Sequence, residues 1–434
     1  MDFKDIPVIN DTIVPDSDDE IRQRLKSLGQ PMVLPGEDDE ARKQRLISLT
    51  TTTEDQDMID EDSQDEEDED EQEEFYTPGP AELYDVRLRI LRDSLFKSSR
   101  RLEHEQEMSK FEYTHYLKHR RGMNAAASRF ELFGSQMIRG NTRAISTVRF
   151  SPGGEYIATG SWDGSICVLN SGDLSTFAFV PAGHHSEKVT LDWDMSNKNT
   201  NVLASGGNEG SLNIWDVGQT PLKSSVSIKQ AHDQRITKTV FHPINDYVVT
   251  ASSDKTWKLW DITTEKELMT QEGHTGEVIS CAIHEDGGLL FSAGKEGRSY
   301  CWDLRSGRSL FTLKSCWRAD FFSNYLVTGD SNGILQVMDL RKNDQALQDI
   351  PAHSKPISDV HFHRQRGETS DKEANGKLLI TSSFDGNVSI WSVGNWIKVK
   401  SLKGHDKAMS CDINGTGDSI VSSGWDRTVK LWNT

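Results

Sequence analysis

The sequence predicts an all-β protein, a seven-bladed propeller of four-stranded blades, carrying a helical N-terminal extension. Three observations support this. Beyond about residue 129 the chain is periodic, and the landmark that closes each unit falls at Leu169, Trp215, Trp260, Trp302, Met338, Trp391 and Trp432. The spacing is even apart from a short step to Met338 and a long one to Trp391. A Gly-His or Ala-His pair precedes five of these positions in register, at His184, His232, His274, His353 and His405. Between each pair lie two strand-like runs and an Asp-containing turn. One match of this kind would be cheap, but five in register are not, and units of about 40 to 45 residues with these landmarks are propeller blades.

The 434 residues carry a net charge of −19, which is not spread evenly. Residues 1–80 hold 26 acidic and 7 basic side chains, residues 81–125 hold 7 and 10, and the rest hold 35 and 32. The acidity therefore belongs to the N-terminal region, and the overall charge says little about the globular part. Mean hydropathy is −0.61, and no apolar run approaches the roughly 20 residues that span a bilayer. Five widely spaced cysteines (Cys167, Cys281, Cys301, Cys316, Cys411), without a Cys-x-x-Cys pair or a leading apolar segment, point to a reducing nuclear or cytosolic compartment.

In chain order, residues 1–50 read as a flexible leader and a small helix-turn-helix. Ser17-Asp18-Asp19-Glu20 is a capping box ahead of Ile21, Leu25 and Leu28, with Gly29 and Pro31 as a stop. A second helix over Glu37 to Leu49 begins with acids and continues with Arg42, Lys43 and Arg45, as the helix dipole favours. Residues 51–80 read as an acidic disordered linker, since Asp and Glu make up most of the stretch from Glu54 to Glu74 and no aromatic interrupts them. Residues 81–127 form a basic helical arm: Leu88, Leu91, Leu95 and Leu102 recur at helical spacing among arginines and lysines. The stripe is expected to pack on protein while Arg100, Arg101, Lys118, Arg120 and Arg121 face RNA phosphate, the bland alternative being a solvated helix face.

Residues 128–434 are the seven-bladed WD40 β-propeller. Its long step to Trp391 reflects the polar insertion Arg364 to Gly376, a loop on one rim. The fifth repeat is eroded, with Met338-Asp339 for Trp-Asp and no preceding Gly-His. The last repeat stops at Trp432 on its third strand, so its blade lacks an edge. The stretch Arg129 to Phe133, running on to Met137, is the one unassigned strand-like segment, and pairing it with the last repeat closes the ring.

In the third repeat, His232, Thr250, Asp254 and Trp260 could be taken for a catalytic triad and its neighbour. The same types recur as His353, Thr381, Asp385 and Trp391, and as His405, Ser422, Asp426 and Trp432. A nucleophile site occurs once per chain, whereas a network tying loop, strand and turn together occurs once per blade, so these sets are read as structural. His361 with His363, and His115 with His119, lack a third ligand, so no metal is expected. Gly288 to Lys295 resembles a phosphate loop but is followed by Glu296 where Ser or Thr must reach magnesium, so it reads as strand and turn. No enzyme signature and no cofactor follow. The residues just before the turn acid, or before Asn332 in the eroded fifth repeat, are Trp162, Asn208, Ser253, Lys295, Ser331, Phe384 and Trp425. The three aromatics fall in repeats one, six and seven, which ring closure makes neighbours. They predict a partner-binding arc of Trp162, Phe384 and Trp425 with Arg427 beside it, the bland alternative being three aromatics partly packed on adjacent loops.

The N-terminal residues Glu20-Ile21-Arg22, Leu25-Lys26-Ser27-Leu28-Gly29-Gln30-Pro31-Met32-Val33-Leu34, Gly36-Glu37 and Arg42 to Leu49 resemble the splicing factor motif of the pre-mRNA processing factor 4 family, the WD40 subunits of the U4/U6 small nuclear ribonucleoprotein. Gly134-Ser135-Gln136 and Arg143-Ala144-Ile145-Ser146 resemble that family's lead into blade one, and the order of parts matches over the whole chain. Pro35 departs from the family's usual aromatic, and the acidic run is unusually long. The resemblance implies a non-catalytic nuclear scaffold of pre-mRNA splicing, bound to pre-mRNA processing factor 3 on U4/U6 snRNA among other tri-snRNP proteins. A WD40 adaptor of a ubiquitin ligase or chromatin complex is the alternative, and recovery of U4 and U6 RNA separates the two.

Overall fold

The inner strands of seven antiparallel four-stranded sheets surround a common axis in the computed structural model. It describes Ile21–Arg22, Leu25–Lys26, Asp38–Asp39, Arg42–Gln44 and Gly79–Thr434, less 111–112, 186–187, 196–200, 219–221, 245, 343–345 and 365–377. The capping box at Ser17, the acidic run from Glu54 to Glu74 and nearly all of the insertion after Arg364 lie outside the described residues. In the N-terminal unit, Met1–Glu73, the described residues around Ile21 and around Arg42 are helical. Ile21 and Leu25 are buried together, and Arg42 pairs with Asp39 at 2.9 Å.

In the second unit, Glu74–Thr434, two helices, α1 (Glu82–Ser109) and α2 (Tyr113–Ala127), precede strand β1 (Glu131–Met137). Blades one to six each take four consecutive strands. Their innermost members are β2 (Ile145–Phe150), β6 (Thr190–Trp193), β10 (Ile236–Phe241), β14 (Val278–Ile283), β18 (Cys316–Phe322) and β22 (Ile357–Phe362). Blade seven has the order β1, β28 (Thr428–Asn433), β27 (Ser419–Gly424), β26 (Ala408–Ile413). The N-terminal strand thus completes the C-terminal sheet: Glu131 faces Asn433 and Met137 faces Thr428, with a bulge at Phe133. Phe130, just ahead of β1, is 1% exposed in a core with Leu378, Ile390 and Ile420.

Two kinds of stitch join neighbouring blades. The register of the inner strand slips near its start in blades one, three and six, leaving Ser146, Thr237 and Ser358 unpaired in the ladder. Each spare hydroxyl donates to a backbone carbonyl of the next blade: Ser146 to Val189, Thr237 to Val278 and Ser358 to Ala408. Deeper along the axis, Asp192, Asp320 and Asp412 accept backbone N–H groups from Phe241, Phe362 and Phe150, again across a blade boundary. These bonds satisfy groups that would be costly to bury unpaired.

The basic arm lies differently from its expected placement. The face of α1 that docks is Leu83, Val86 and Ile90, which join the core of Tyr247, Leu259, Leu268 and Leu304. The C-terminal part of the leucine stripe is turned outward, with Leu95 56% and Leu102 48% exposed, while Leu88 and Leu91 are half-buried. Ion pairs fix this orientation. Arg89 meets Asp246, Lys97 donates to Pro243 O at 3.0 Å, and Arg101 is held by Asp286 at 2.8 Å and Asn324 at 2.9 Å. Pro243, Asp246, Asp286 and Asn324 all lie in the turns after inner strands, so α1 crosses the rim of blades three to five. On α2, Arg120 donates to Ser392 Oγ at 3.2 Å. The guanidiniums of Arg101 and Arg120 are therefore turned to the propeller and do not face outward, because carboxylate and hydroxyl acceptors on the rim compete for them. Arg100, Lys118 and Arg121 are exposed or partly so.

Candidate partner-binding surface

On the rim opposite α1, a polar network recurs from blade to blade. His232 Nδ1 meets Asp254 Oδ2 at 2.8 Å, its Nε2 meets Thr250 Oγ1 at 2.6 Å, and the Trp260 indole donates to the same Thr250 Oγ1 at 2.9 Å. His353, Asp385, Thr381 and Trp391 repeat it in blade six, and His405, Asp426, Ser422 and Trp432 repeat it in blade seven. Two further sets escape the sequence pattern. His184 joins Glu209, Ser205 and Trp215, and His274 joins Glu296, Ser292 and Trp302. The signal that finds them is a Ser on the strand before each Trp, with Glu in the place of Asp. Among the described residues, no group of three or more His, Cys, Asp and Glu is placed to hold a metal.

Burial pushes the Asp254 carboxyl up, but hydrogen bonds from His232 and Thr256 outweigh it and bring it down to about 2. Glu209 and Asp426 are also brought down to about 2, against burial, chiefly by hydrogen bonds from His184 and His405. These folded-state values lie below the ordinary carboxylate range, so the unfolded chain binds more protons in that window. The stability they contribute is full above about pH 5 and is lost as pH falls toward 2. Asp254→Ala leaves His232 without its acceptor and should cost about 1 to 3 kcal/mol at neutral pH. Its denaturant midpoint should also fall less steeply than the wild type's between pH 4 and 2. Asn332→Ala, at the exposed turn of blade five, should change stability by under about 0.5 kcal/mol, and the reverse ranking in denaturant melts would contradict the repeat alignment.

The turn acids fix where the preceding residues sit. Backbone N–H groups of Trp162, Phe384 and Trp425 donate to Ala144, Pro356 and Lys407 at 2.9, 3.1 and 3.0 Å, one equivalent bond in each of blades one, six and seven. The three positions are thus homologous on one rim, in blades made adjacent by closure. Their exposure is unequal. Trp425 is 51% exposed, with the Lys407 ammonium 4.6 Å from its ring centroid, whereas Trp162 and Phe384 are half-buried. Exposed cations Arg143 and Lys355 directly precede the bond acceptors Ala144 and Pro356, Lys407 is itself the third acceptor, and exposed Arg427 follows Asp426. Arg427 follows Asp426 with φ of 61°, where five other blades place a glycine. A left-handed backbone costs a side-chain-bearing residue roughly 1 to 2 kcal/mol, so a guanidinium is retained on this rim at a conformational cost.

Comparison with known proteins places this architecture. The WD domain, G-beta repeat family matches residues 134–170, 223–261, 265–303, 344–392 and 396–433, five segments where the fold has seven blades. The chain is 24% identical over 202 residues to pre-mRNA-processing factor 19 of Bos taurus, covering 44% of this chain and 39% of that protein. It is 24% identical over 343 residues to the guanine nucleotide-binding protein subunit beta of Saccharomyces cerevisiae, covering 68% and 79%. It is 33% identical over 437 residues to the U4/U6 small nuclear ribonucleoprotein PRP4 of Saccharomyces cerevisiae, covering 97% of this chain and 91% of that protein. Coverage of that extent reaches beyond the blades into the N-terminal extension, and the chain belongs to the PRP4 family of WD-repeat proteins.

Proposed function

We propose that this chain is a non-catalytic scaffold of pre-mRNA splicing, a nuclear subunit of the U4/U6 and U4/U6.U5 ribonucleoproteins. The observation that carries the reading is its likeness to PRP4 over nearly its whole length. The recurrence of the His-bearing network in five blades supports a rigid frame over a reaction centre. In this reading the arc of Trp162, Phe384 and Trp425, with Arg427, receives pre-mRNA processing factor 3. Arg100, Lys118 and Arg121 of the helical arm approach U4/U6 RNA phosphate. Arg101 and Arg120 instead hold the arm on the propeller, Arg101 through its bonds to Asp286 and Asn324.

Two measurements test this. The tagged chain should recover U4 and U6 RNA and pre-mRNA processing factor 3 from nuclear extract, and recovery of ligase or chromatin subunits without either RNA would reject the reading. Charge reversal at Arg100, Lys118 and Arg121 together should weaken RNA binding and reduce the slope of log K against log salt by up to about 2 to 3. An unchanged slope would return the arm to a solvated helix face.

A further inference from the structure

Inner-strand residues and Phe384 of the aromatic arc line a cavity of about 40 Å³ whose wall is cationic. Arg149, Lys188, Lys238 and Arg318 line it, from blades one, two, three and five, and Asp359 is the single carboxylate. Asp359 is already committed: it receives Arg149 Nη2 at 3.0 Å and Ser410 Oγ at 2.6 Å, with His361 at 3.2 Å. Arg318 donates to the backbone carbonyls of Ser358, Ile279 and Trp317. Neither Lys188 nor Lys238 has an ion pair with a carboxylate among the described residues. Three cations therefore converge without a counter-charge of their own.

Water alone compensates such a cluster poorly. Burial, with Arg318 and Lys238 nearby, holds the Lys188 ammonium down to about 7, and Lys238 is lowered chiefly by burial and by Arg149. The deeper carboxylates offset this only in part: Asp192, Asp320 and Asp412 each accept a neighbouring blade's backbone N–H, and the pull of Asp192 on Lys238 does not outweigh burial and the nearby arginines. The space corresponds to roughly three water positions, which matches the three terminal oxygens of a phosphate monoester. A monoester carries about −1.5 to −2 charges near neutral pH and three strong acceptors. A phosphodiester carries a single charge and presents two terminal oxygens, so it would engage fewer of these cations. Phe384 stands at the lip, where a peptide carrying the anion would continue onto the arc.

We infer that the cavity is an anion site built for one phosphorylated serine or threonine side chain of a protein partner. The inference deepens the arc reading by giving the partner's chemistry, yet it is tested without the arc. With the full chain, inorganic phosphate should raise the melting temperature above that in sodium chloride of matched ionic strength. A labelled Ala-Glu-phosphoserine-Glu-Ala peptide should bind at least about tenfold tighter than its unphosphorylated form, a gap of about 1.4 kcal/mol. Lys188→Met with Lys238→Met should abolish both effects while leaving binding of a short single-stranded RNA unchanged. Should that variant unfold, acetylation of Lys188 in the wild type, read by mass spectrometry, should be slowed by phosphate. Absence of phosphate preference, its survival in the double variant, equal acetylation with and without phosphate, or RNA binding lost with the two lysines would each overturn the inference. Failure of the arc variants to release a partner would leave these results standing.

Discussion

A chain beginning at Gly140 should lose cooperative unfolding, whereas one beginning at Ala125 should keep it. The first lacks β1, so β28 presents an unpaired edge along Thr428 to Asn433. It also loses Phe130, whose ring is buried with Leu378, Ile390 and Ile420; emptying a buried phenylalanine site costs about 3 to 5 kcal/mol, a large share of the roughly 5 to 15 kcal/mol that separates folded from unfolded domains. An open edge adds a kinetic hazard, because unpaired N–H and C=O groups template association with another copy. The chain from Ala125 loses α1 and its contacts with Tyr247 and Leu304. Its melting temperature should drop, but the ring remains closed by sheet pairing and the transition should stay sharp. Equal thermal stability of the two truncated chains would mean that β1 is dispensable to closure.

The features legible in the sequence are those fixed by short-range, repeated chemistry. His232, Thr250, Asp254 and Trp260 lie within one repeat, and their order recurs elsewhere with the hydroxyl always ten residues before the Trp, the His spacing lengthening only in blade six with its insertion, so the pattern identifies itself. The eroded fifth blade is also readable, because Met338 replaces Trp and no His precedes it. There β17 (Arg308–Lys314) and β18 are joined by the single residue Ser315, which leaves no loop to carry a histidine. Substitution within the pattern hides Glu209 and Glu296, which take the place of Asp with one more methylene. The arm is misplaced by its sequence because helical spacing reveals an apolar stripe without revealing what it meets. Leu88, Leu91, Leu95 and Leu102 make the longer stripe, yet Leu83, Val86 and Ile90 dock, since Asp246 and Asp286 on distant turns fix the helix rotation through Arg89 and Arg101. The cavity cations are unreadable for a related reason: Arg149, Lys188, Lys238 and Arg318 are scattered over four separate blades, and only the ring brings them together.

If the arc receives pre-mRNA processing factor 3 as proposed, replacing Trp162, Phe384 and Trp425 by Ala should release it, and most of the loss should be carried by Trp425→Ala alone. The three rings occupy one homologous turn position in contiguous blades, but only Trp425 is more than half exposed. A hot-spot ring truncated at an interface costs about 2 kcal/mol or more, close to a 30-fold loss of affinity. Trp162 and Phe384 already bury part of their surface on neighbouring turns, so their removal should also lower the melting temperature. Trp425→Ala should leave the melting temperature nearly unchanged, because its ring contributes exposed area and a cation contact with Lys407, an interaction worth about 0.5 to 1 kcal/mol when solvated. Arg427→Gly separates charge from backbone: it removes the guanidinium and relaxes a left-handed turn, so it should raise stability while slowing association with an acidic partner. If Trp425→Ala and the triple variant both bind at wild-type affinity, the arc is ordinary packing and the partner sits elsewhere. If Trp425→Ala itself unfolds the chain, the ring belongs to the core of blade seven and the turn geometry is wrong.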